Sequence, residues 1–355
     1  MSFDMKIIVY LGFNNPYVYK RGVENVIYFQ HLNGVFSKSL YVFFDEKDAV
    51  FRWDDILCIS IKNDLLKYFK LNILFFNLRR RYKSIFIHSH NILMSILLFY
   101  KTNLLTIHDA IYYQRRSNKD RKAFIFSIVE FLSLFKCKSF HFISKYTLSK
   151  SLIRNLITRK FIIYNTCTFE GLIGQMNERR NVDEFKIFAV RGIQKRTRVD
   201  LLIDFAQYVH DKKIDGKDIH LYIVGKGPLL EQYKRRIENL NLHNVSLLGY
   251  LSDSCVTGYY KSCDYVIMPC EYAEGFGLPI IEGYYYNKPV IASNKCAVPE
   301  IIIDKSYLFE NNVESIWETL NRTLHLKFDF RSYYNEKFSH EVILNEYDQL
   351  YQLLS

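Results

Sequence analysis

A brief apolar run, then a longer stretch of helical periodicity, then another run: this alternation fills the chain. A strand buried on both faces reads as a continuous apolar run, and its crossover to a parallel neighbour takes a dozen or more residues. Candidate strands lie at residues 6–10, 39–44, 56–60, 84–88, 104–108, 139–143 and 161–164, with amphipathic stretches between them such as 63–76 and 146–156. This pattern predicts an α/β architecture, a parallel sheet covered by helices on both faces. The polar stretch 174–183 is poor in large apolar residues and reads as a linker. The alternation then restarts, with strands expected at 185–190, 219–224, 245–248, 265–268, 290–292 and 307–309. Two doubly wound domains are expected, 1–173 and 184–339, facing a cleft. Residues 340–355 form a last helix, with Val342, Ile343, Tyr347, Tyr351 and Leu354 at helical spacing. The spacing alone allows that helix to pack on either domain.

Composition narrows the class. A chain of 355 residues with 49% hydrophobic content can bury two cores, which excludes long disorder. The seven cysteines form no C-x-x-C pair and no zinc-spaced cluster with histidine, so reduced thiols in the cytosol are expected. No signal-peptide pattern opens the sequence, and the longest apolar stretches, 85–100 and 123–135, are interrupted by polar residues. The formal charge is +11, which points to an anionic partner: membrane lipid, polyphosphate or nucleic acid. Residues 121–138 set Phe124, Ile125, Phe126, Ile128, Phe131, Leu132 and Phe135 between basic ends. A core helix is the preferred reading there, with a helix at a bilayer surface as the alternative. Arg79, Arg80 and Arg81 read as a solvated helix end.

The segment E-G-F-G-L-P-I-I-E places Glu274 and Glu282 on either side of a glycine-rich turn. It follows an expected strand, at the end where open parallel sheets bind ligands. Pro279 suits the first turn of a helix, whose free N–H groups can hold an anion. Gly275 and Gly277 let backbone approach a ligand closely. Carboxylates accept hydrogen bonds from vicinal diols. The two features together suit a nucleotide sugar, a diphosphate between two polyols. The plainer alternative for either carboxylate alone is a solvated side chain on a surface helix.

From Pro269 to Glu300 the sequence resembles the signature of family 4 glycosyltransferases, retaining enzymes of the GT-B fold, in which two Rossmann-like domains face a cleft. The resemblance implies that Glu274 faces the donor-sugar hydroxyls and Glu282 the ribose. It implies that the N–H groups around Phe276, Gly277 and Leu278 contact sugar and diphosphate. Arg21-Gly22-Val23-Glu24 resembles the family's G-G-x-E loop over the donor phosphate, and Thr106-Ile107-His108-Asp109 its T-x-H-D segment beside the sugar. Leu221 to Pro228, with Gly225, is similar to its I-x-G-x-G-P strand and turn. The resemblance covers essentially the whole chain and implies that the last helix crosses back to the N-terminal domain.

Two positions depart from the family pattern. The usual G-R pair is inverted at Arg191-Gly192, and the usual lysine falls on Thr197. A leaving diphosphate still requires cations. They are assigned to Arg191 and Arg196, with Lys195 in reserve, and no metal is expected. The first glycine of the G-G loop is replaced by Arg21. The resulting expectation is a retaining hexosyltransferase, cytoplasmic and peripheral at the inner face of the membrane, acting on a lipid-linked glycan of surface polysaccharide assembly. An idle glycosyltransferase-fold partner subunit is the alternative. A nucleic-acid-binding protein is a further one, although basic and aromatic residues are not interleaved in the manner of a binding surface.

Overall fold

The strongest register signal lies in the first strand, where alternate residues enter different cores. In this computed structural model, which describes residues 6–18, 23–108, 123–169 and 184–355, β1 spans Lys6–Leu11. Ile8 and Tyr10 point to one face of the sheet and Ile7, Val9 and Leu11 to the other, all fully buried. That is the period of two that a strand imposes. The expected linker, 174–183, lies outside the described residues.

The chain divides into two compact units, one of Met1–Asn165 with Glu341–Ser355 and one of Thr166–His340. In the first, β1 is joined by β2 (Lys38–Asp45), β3 (Ala49–Trp53), β4 (Ile56–Lys62), β5 (Ser84–Ser89), β6 (Leu104–Ile107), β7 (Phe140–Phe142) and β8 (Lys160–Ile162). The sheet order is β3-β4-β2-β1-β5-β6-β7-β8. All pairs are parallel except β3 with β4. One face packs against the helix Lys67–Arg81 through Leu71, Phe75 and Leu78. The other packs against Val23–His31 and the last helix, His340–Leu354, which contributes Ile343, Tyr347, Leu350 and Tyr351. The ring of Tyr351 meets Phe36 and Phe86 edge-on, at 5.5 Å in each case.

The second unit repeats the plan with β9 (Glu184–Val190), β10 (Lys213–Ile214), β11 (Lys217–Val224), β12 (Val245–Gly249), β13 (Tyr265–Met268), β14 (Val290–Ser293) and β15 (Leu308–Phe309). The order is β10-β11-β9-β13-β14-β15, with β12 also on β11. From β9 the chain moves out to β11 and β12, then returns to β13 and moves out the other way. The gap between β9 and β13 is therefore a topological switch point, where the loops after the two strands diverge and leave a crevice.

Several boundaries differ from the sequence reading. The expected helix 146–156 stops after Lys150. The Glu130 carboxylate accepts hydrogen bonds from the Ser151 hydroxyl at 2.6 Å and from the Leu152 N–H at 3.1 Å, which holds the chain in another course. The helix expected over 63–76 begins at Lys67, because Asp64 ties the Leu66 N–H into a turn, and it runs on to Arg81. The sequence reading has no strand at β3 or β10. Both are short antiparallel strands that end in tight turns, with Asp54 (φ 49°) after β3 and Asp215-Gly216 (φ 51° and 77°) after β10.

Candidate active site

Both loops at the β9/β13 switch point carry the expected residues. After β13, the chain turns through Ala273 in the left-handed region (φ 56°) and reaches Glu274. Gly277 (φ 101°) then precedes the helix Leu278–Tyr285. A Cβ at Gly277 would lie 3.0 Å from the Met268 side chain, in a backbone conformation that other residues rarely adopt. Pro279 occupies the first turn, and no side chain caps it. The positive end of the helix dipole therefore faces the same crevice as Glu274. The Phe276 side chain is buried against Phe338.

After β9, Arg191 points back across the crevice. Its Nη2 donates to Glu274 Oε2 at 2.9 Å, and both side chains are nearly buried, 5% and 15% exposed. Arg196 approaches the same oxygen, Nη1 to Oε2 3.9 Å, and donates to the Ala273 carbonyl at 3.0 Å. In both guanidinium groups Nε is buried without a hydrogen-bond partner among the described residues. Such a donor costs about 1–3 kcal/mol when left unmade. The short turn Lys195–Thr197 holds this arrangement: Thr197 Oγ1 donates to the carbonyls of Gly192 and Gln194. Thr197 is thus buried and structural, where the family pattern has a cation. Lys195 is exposed on that turn. Arg198 is engaged elsewhere, with Glu271 at 2.8 Å and Asp200 at 3.1 Å.

Gly225 serves this site through packing. A Cβ there would fall 1.7 Å from the Arg191 carbonyl, and one on Gly227 2.3 Å from the Ile193 carbonyl. The close approach allows the Arg191 N–H to bond the Val224 carbonyl at 2.9 Å and the Ile193 N–H that of Lys226 at 3.0 Å. The sequence reading places Gly225 at the donor; in the structure its backbone also supports the Arg191 loop.

Glu282 lies one turn into the helix, 5% exposed. Tyr260 donates to its Oε2 at 2.6 Å and Thr168 to its Oε1 at 3.3 Å. Each carboxylate oxygen accepts more than one hydrogen bond, so acceptor capacity remains. Tyr260 and Thr168 carry no motif, and only the folded chain brings them to Glu282. Burial first, and the Glu282 carboxylate second, keep the Tyr260 phenol protonated far above its usual range.

His108 belongs to the first unit, just after β6, and Gly22 lies outside the described residues. His108 ends a buried chain of imidazoles. His108 Nε2 and His90 Nδ1 are 2.7 Å apart, and His90 Nε2 is 3.0 Å from Gln30 Oε1. The Gln30 oxygen can only accept, so His90 carries its proton on Nε2. His108 then donates from Nε2, which leaves its Nδ1 as the outward acceptor. A second chain joins it from behind. His141 Nε2 donates to the Ile163 carbonyl at 3.0 Å, Thr106 to His141 Nδ1 at 2.9 Å, His88 Nε2 to Thr106 at 2.7 Å, and Tyr351 to His88 Nδ1 at 2.8 Å. Every member is neutral in this arrangement. Burial, with the neighbouring imidazoles, pulls the pKa of His108 down to about 3, and burial takes that of His141 to about 4. His88 and His90 lie well below the usual range for the same reason.

Residues 175–339, nearly the whole second unit, match the family of glycosyl transferases group 1. An uncharacterized glycosyltransferase of Methanocaldococcus jannaschii is 29% identical over 222 residues, 60% of this chain and 59% of that one. The O-antigen chain mannosyltransferase B of Escherichia coli is 34% identical over 73 residues, 20% of this chain and 19% of that one. The chain thus spans less than two thirds of the length of either relative. The Anabaena protein HepE, solved in complex with UDP-glucose, superposes with a TM-score of 0.70 at 14% identity, covering 98% of this chain and 99% of that one. That likeness shows a shared fold, GT-B, over nearly the whole chain.

Proposed function

We propose that this chain is a retaining glycosyltransferase that moves a hexose from a nucleotide-diphosphate sugar to a hydroxyl of a glycan. The observation that carries the reading is the pair of guanidinium groups at the β9/β13 switch point. Arg191 and Arg196 converge on Glu274, and each keeps a buried Nε–H unpaired. Two cations beside an uncapped helix start form an environment for a diphosphate. As the sugar–phosphate bond breaks, negative charge grows on the leaving oxygen, and preorganised donors stabilise it there. These side chains supply the charge that a metal would otherwise bring, so no metal is assigned. Lys195 is a further cation for the phosphates, and the family resemblance alone supports a donor contact for Gly22.

Glu274 accepts from the sugar hydroxyls while Arg191 fixes its orientation. Glu282, held by Tyr260 and Thr168, accepts from the ribose. The backbone around Phe276, Gly277 and Leu278 binds the sugar and its phosphate, and Gly225 keeps Arg191 in place. His108 offers Nδ1 to a sugar hydroxyl. The acceptor hydroxyl attacks from the face the phosphate leaves, and the departing oxygen takes its proton. The acceptor is a lipid-linked oligosaccharide of surface polysaccharide assembly, reached at the cytoplasmic face of the membrane. The O-antigen mannosyltransferase similarity and the basic first unit support that assignment.

Incubation with a panel of nucleotide sugars, read as nucleoside diphosphate release, tests the proposal. One donor of the panel is expected to turn over, and Glu282→Ala to weaken its binding. Undiminished donor turnover by an Arg191→Ala/Arg196→Ala variant would overturn the phosphate assignment.

A further inference from the structure

The helix Ala123–Lys136, read from sequence as a core helix, buries little more than Val129 and Ser133. Phe124, Phe131 and Phe135 lie on its opposite face, and Phe124 and Phe135 are 71% and 75% exposed. The helix Lys67–Arg81 behaves alike. It buries Leu71, Phe75 and Leu78 and exposes Phe69 and Phe76. The two are tied together in the first unit. The Asn72 side chain donates to the Leu97 carbonyl at 3.0 Å and accepts from the Phe99 N–H at 2.6 Å. Lys136 Nζ donates to the Leu98 carbonyl at 3.0 Å. Residues 97–99 thus join the two helices, and Phe99 stands 79% exposed at the junction. Scattered exposed apolar residues are ordinary; a joined set of phenylalanines on two helices and their connecting loop is not.

Charge decides the occupant. Residues 65–108 contain seven Lys or Arg and no Asp or Glu. Arg79 lies over the Tyr100 ring at 4.4 Å and Arg80 over Phe76 at 5.6 Å, so the cations border the apolar strip. The one acid of helix Ala123–Lys136, Glu130, turns to Ser151 and Leu152. A second copy of this chain would bring the same cations face to face with these. A span is excluded for these helices: no described helix is long and apolar enough to cross a membrane. At 14 residues Ala123–Lys136 is about 21 Å long, against roughly 30 Å of hydrocarbon.

We infer that this face of the first unit docks on an anionic phospholipid bilayer, with Phe69, Phe76, Phe99, Phe124, Phe131 and Phe135 entering the interface and Arg79 and Arg80 meeting lipid phosphates. Apolar burial and attraction to anionic headgroups add in such a contact. This inference does not depend on the reaction proposed above.

Flotation of the full chain with vesicles tests it. The chain is expected to float with vesicles of equal parts phosphatidylglycerol and phosphatidylethanolamine, not with phosphatidylcholine alone, and to be released in part as salt rises to about 0.5 M. A Phe124→Ser/Phe135→Ser variant and an Arg79→Glu/Arg80→Glu variant should each partition about tenfold more weakly, with circular dichroism unchanged. Flotation of both variants like the parent overturns the inference, as does equal binding to phosphatidylcholine. Absence of flotation overturns it too, whether the chain instead self-associates through this face, by size exclusion, or is retained on DNA. The double serine variant changes only well-exposed side chains, so loss of binding with an intact fold is readable.

Discussion

Arg191 and Glu274 hold each other in a nearly dry crevice, and an ion pair in that setting is poorly explained by stability. Desolvating two charges costs several kcal/mol per ion, and apolar side chains of similar volume often serve a fold equally well. An unpaired Nε on each arginine adds to the cost. Function accounts for what stability does not. The imidazole chain follows the same logic. His90 fixes the tautomer of His108, and burial keeps that ring neutral. Donor turnover by the parent should therefore show no ionisation of His108 near pH 6.5. His90→Ala admits water beside His108, and its pKa should return toward 6.5. Below that pH the ring takes a proton on Nδ1 and loses its acceptor. The variant's kcat should fall by about tenfold and acquire a new acid limb near pH 6 to 6.5, visible in a pH–rate profile. A profile parallel to that of the parent would rule out the positioning role. The same burial sets a stability trend. His88, His90, His108 and His141 have pKa values lowered on folding, so the unfolded chain binds more protons below about pH 6.5. Stability is then full above that pH and falls as pH drops through it, by up to about 1.4 kcal/mol per pH unit for each histidine. Glu24, Glu130 and Glu346 have raised pKa values, act in the opposite sense and soften the fall near the carboxylate range. Unfolding free energies from urea titrations at pH 7.5 and 5.5 should differ by several kcal/mol.

At the scale of elements, the loops after β9 and β13 form a site because glycine lets a third loop support them. Gly225 combines a φ of 153° with the close contact to the Arg191 carbonyl. Gly225→Ala should push the Arg191 loop out of register. We expect a stability loss of about 1–3 kcal/mol and a loss of donor binding larger than that strain explains. Thermal unfolding and donor titration on the same sample separate the two, and a purely thermal effect would show that Gly225 does not place Arg191. This scale also shows what could be read in advance. Glu274, Gly277, Pro279 and Glu282 were legible because their spacing encodes a strand–turn–helix with acceptors at both ends. Arg191 and Arg196 were legible as cations after an expected strand, although their convergence on Glu274 was not. Tyr260 and Thr168 were invisible, because a hydroxyl on a helix or loop gains meaning only from what the fold sets beside it. The end of the helix at Lys150 was hidden for a related reason. Glu130, twenty residues earlier, takes the next N–H groups, and no local propensity reports that.

At the scale of the whole molecule, both units use the same device. Each sheet has a first-entered strand in its interior, β1 or β9, from which the chain leaves in one direction and later in the other. The repeat of apolar runs made this duplication readable, and the family resemblance supplied the place of the last helix. Helical spacing could not, because an apolar stripe fits any apolar face. In the structure Ile343, Tyr347, Leu350 and Tyr351 complete the first unit's core, and Tyr351 also closes the hydrogen-bond chain at His88. Burying four such side chains contributes roughly 6–12 kcal/mol, comparable with the net stability of a whole domain. Removing residues 341–355 should therefore unfold the first unit and leave the sheet of the second, whose core contains no residue beyond 340. The two tryptophans divide the question: Trp53 lies on β3 in the first unit, and Trp317 lies on the helix Val313–Thr323 in the second. In a truncated Trp317→Phe chain, Trp53 emission should shift to that of the urea-unfolded protein. In a truncated Trp53→Phe chain, Trp317 emission should stay native and lose its signal cooperatively in urea. Native emission from Trp53 after truncation would mean that the sheet of the first unit is self-sufficient. Its core would then lie mainly on the face that carries Leu71, Phe75 and Leu78, with the last helix as a cover on the other.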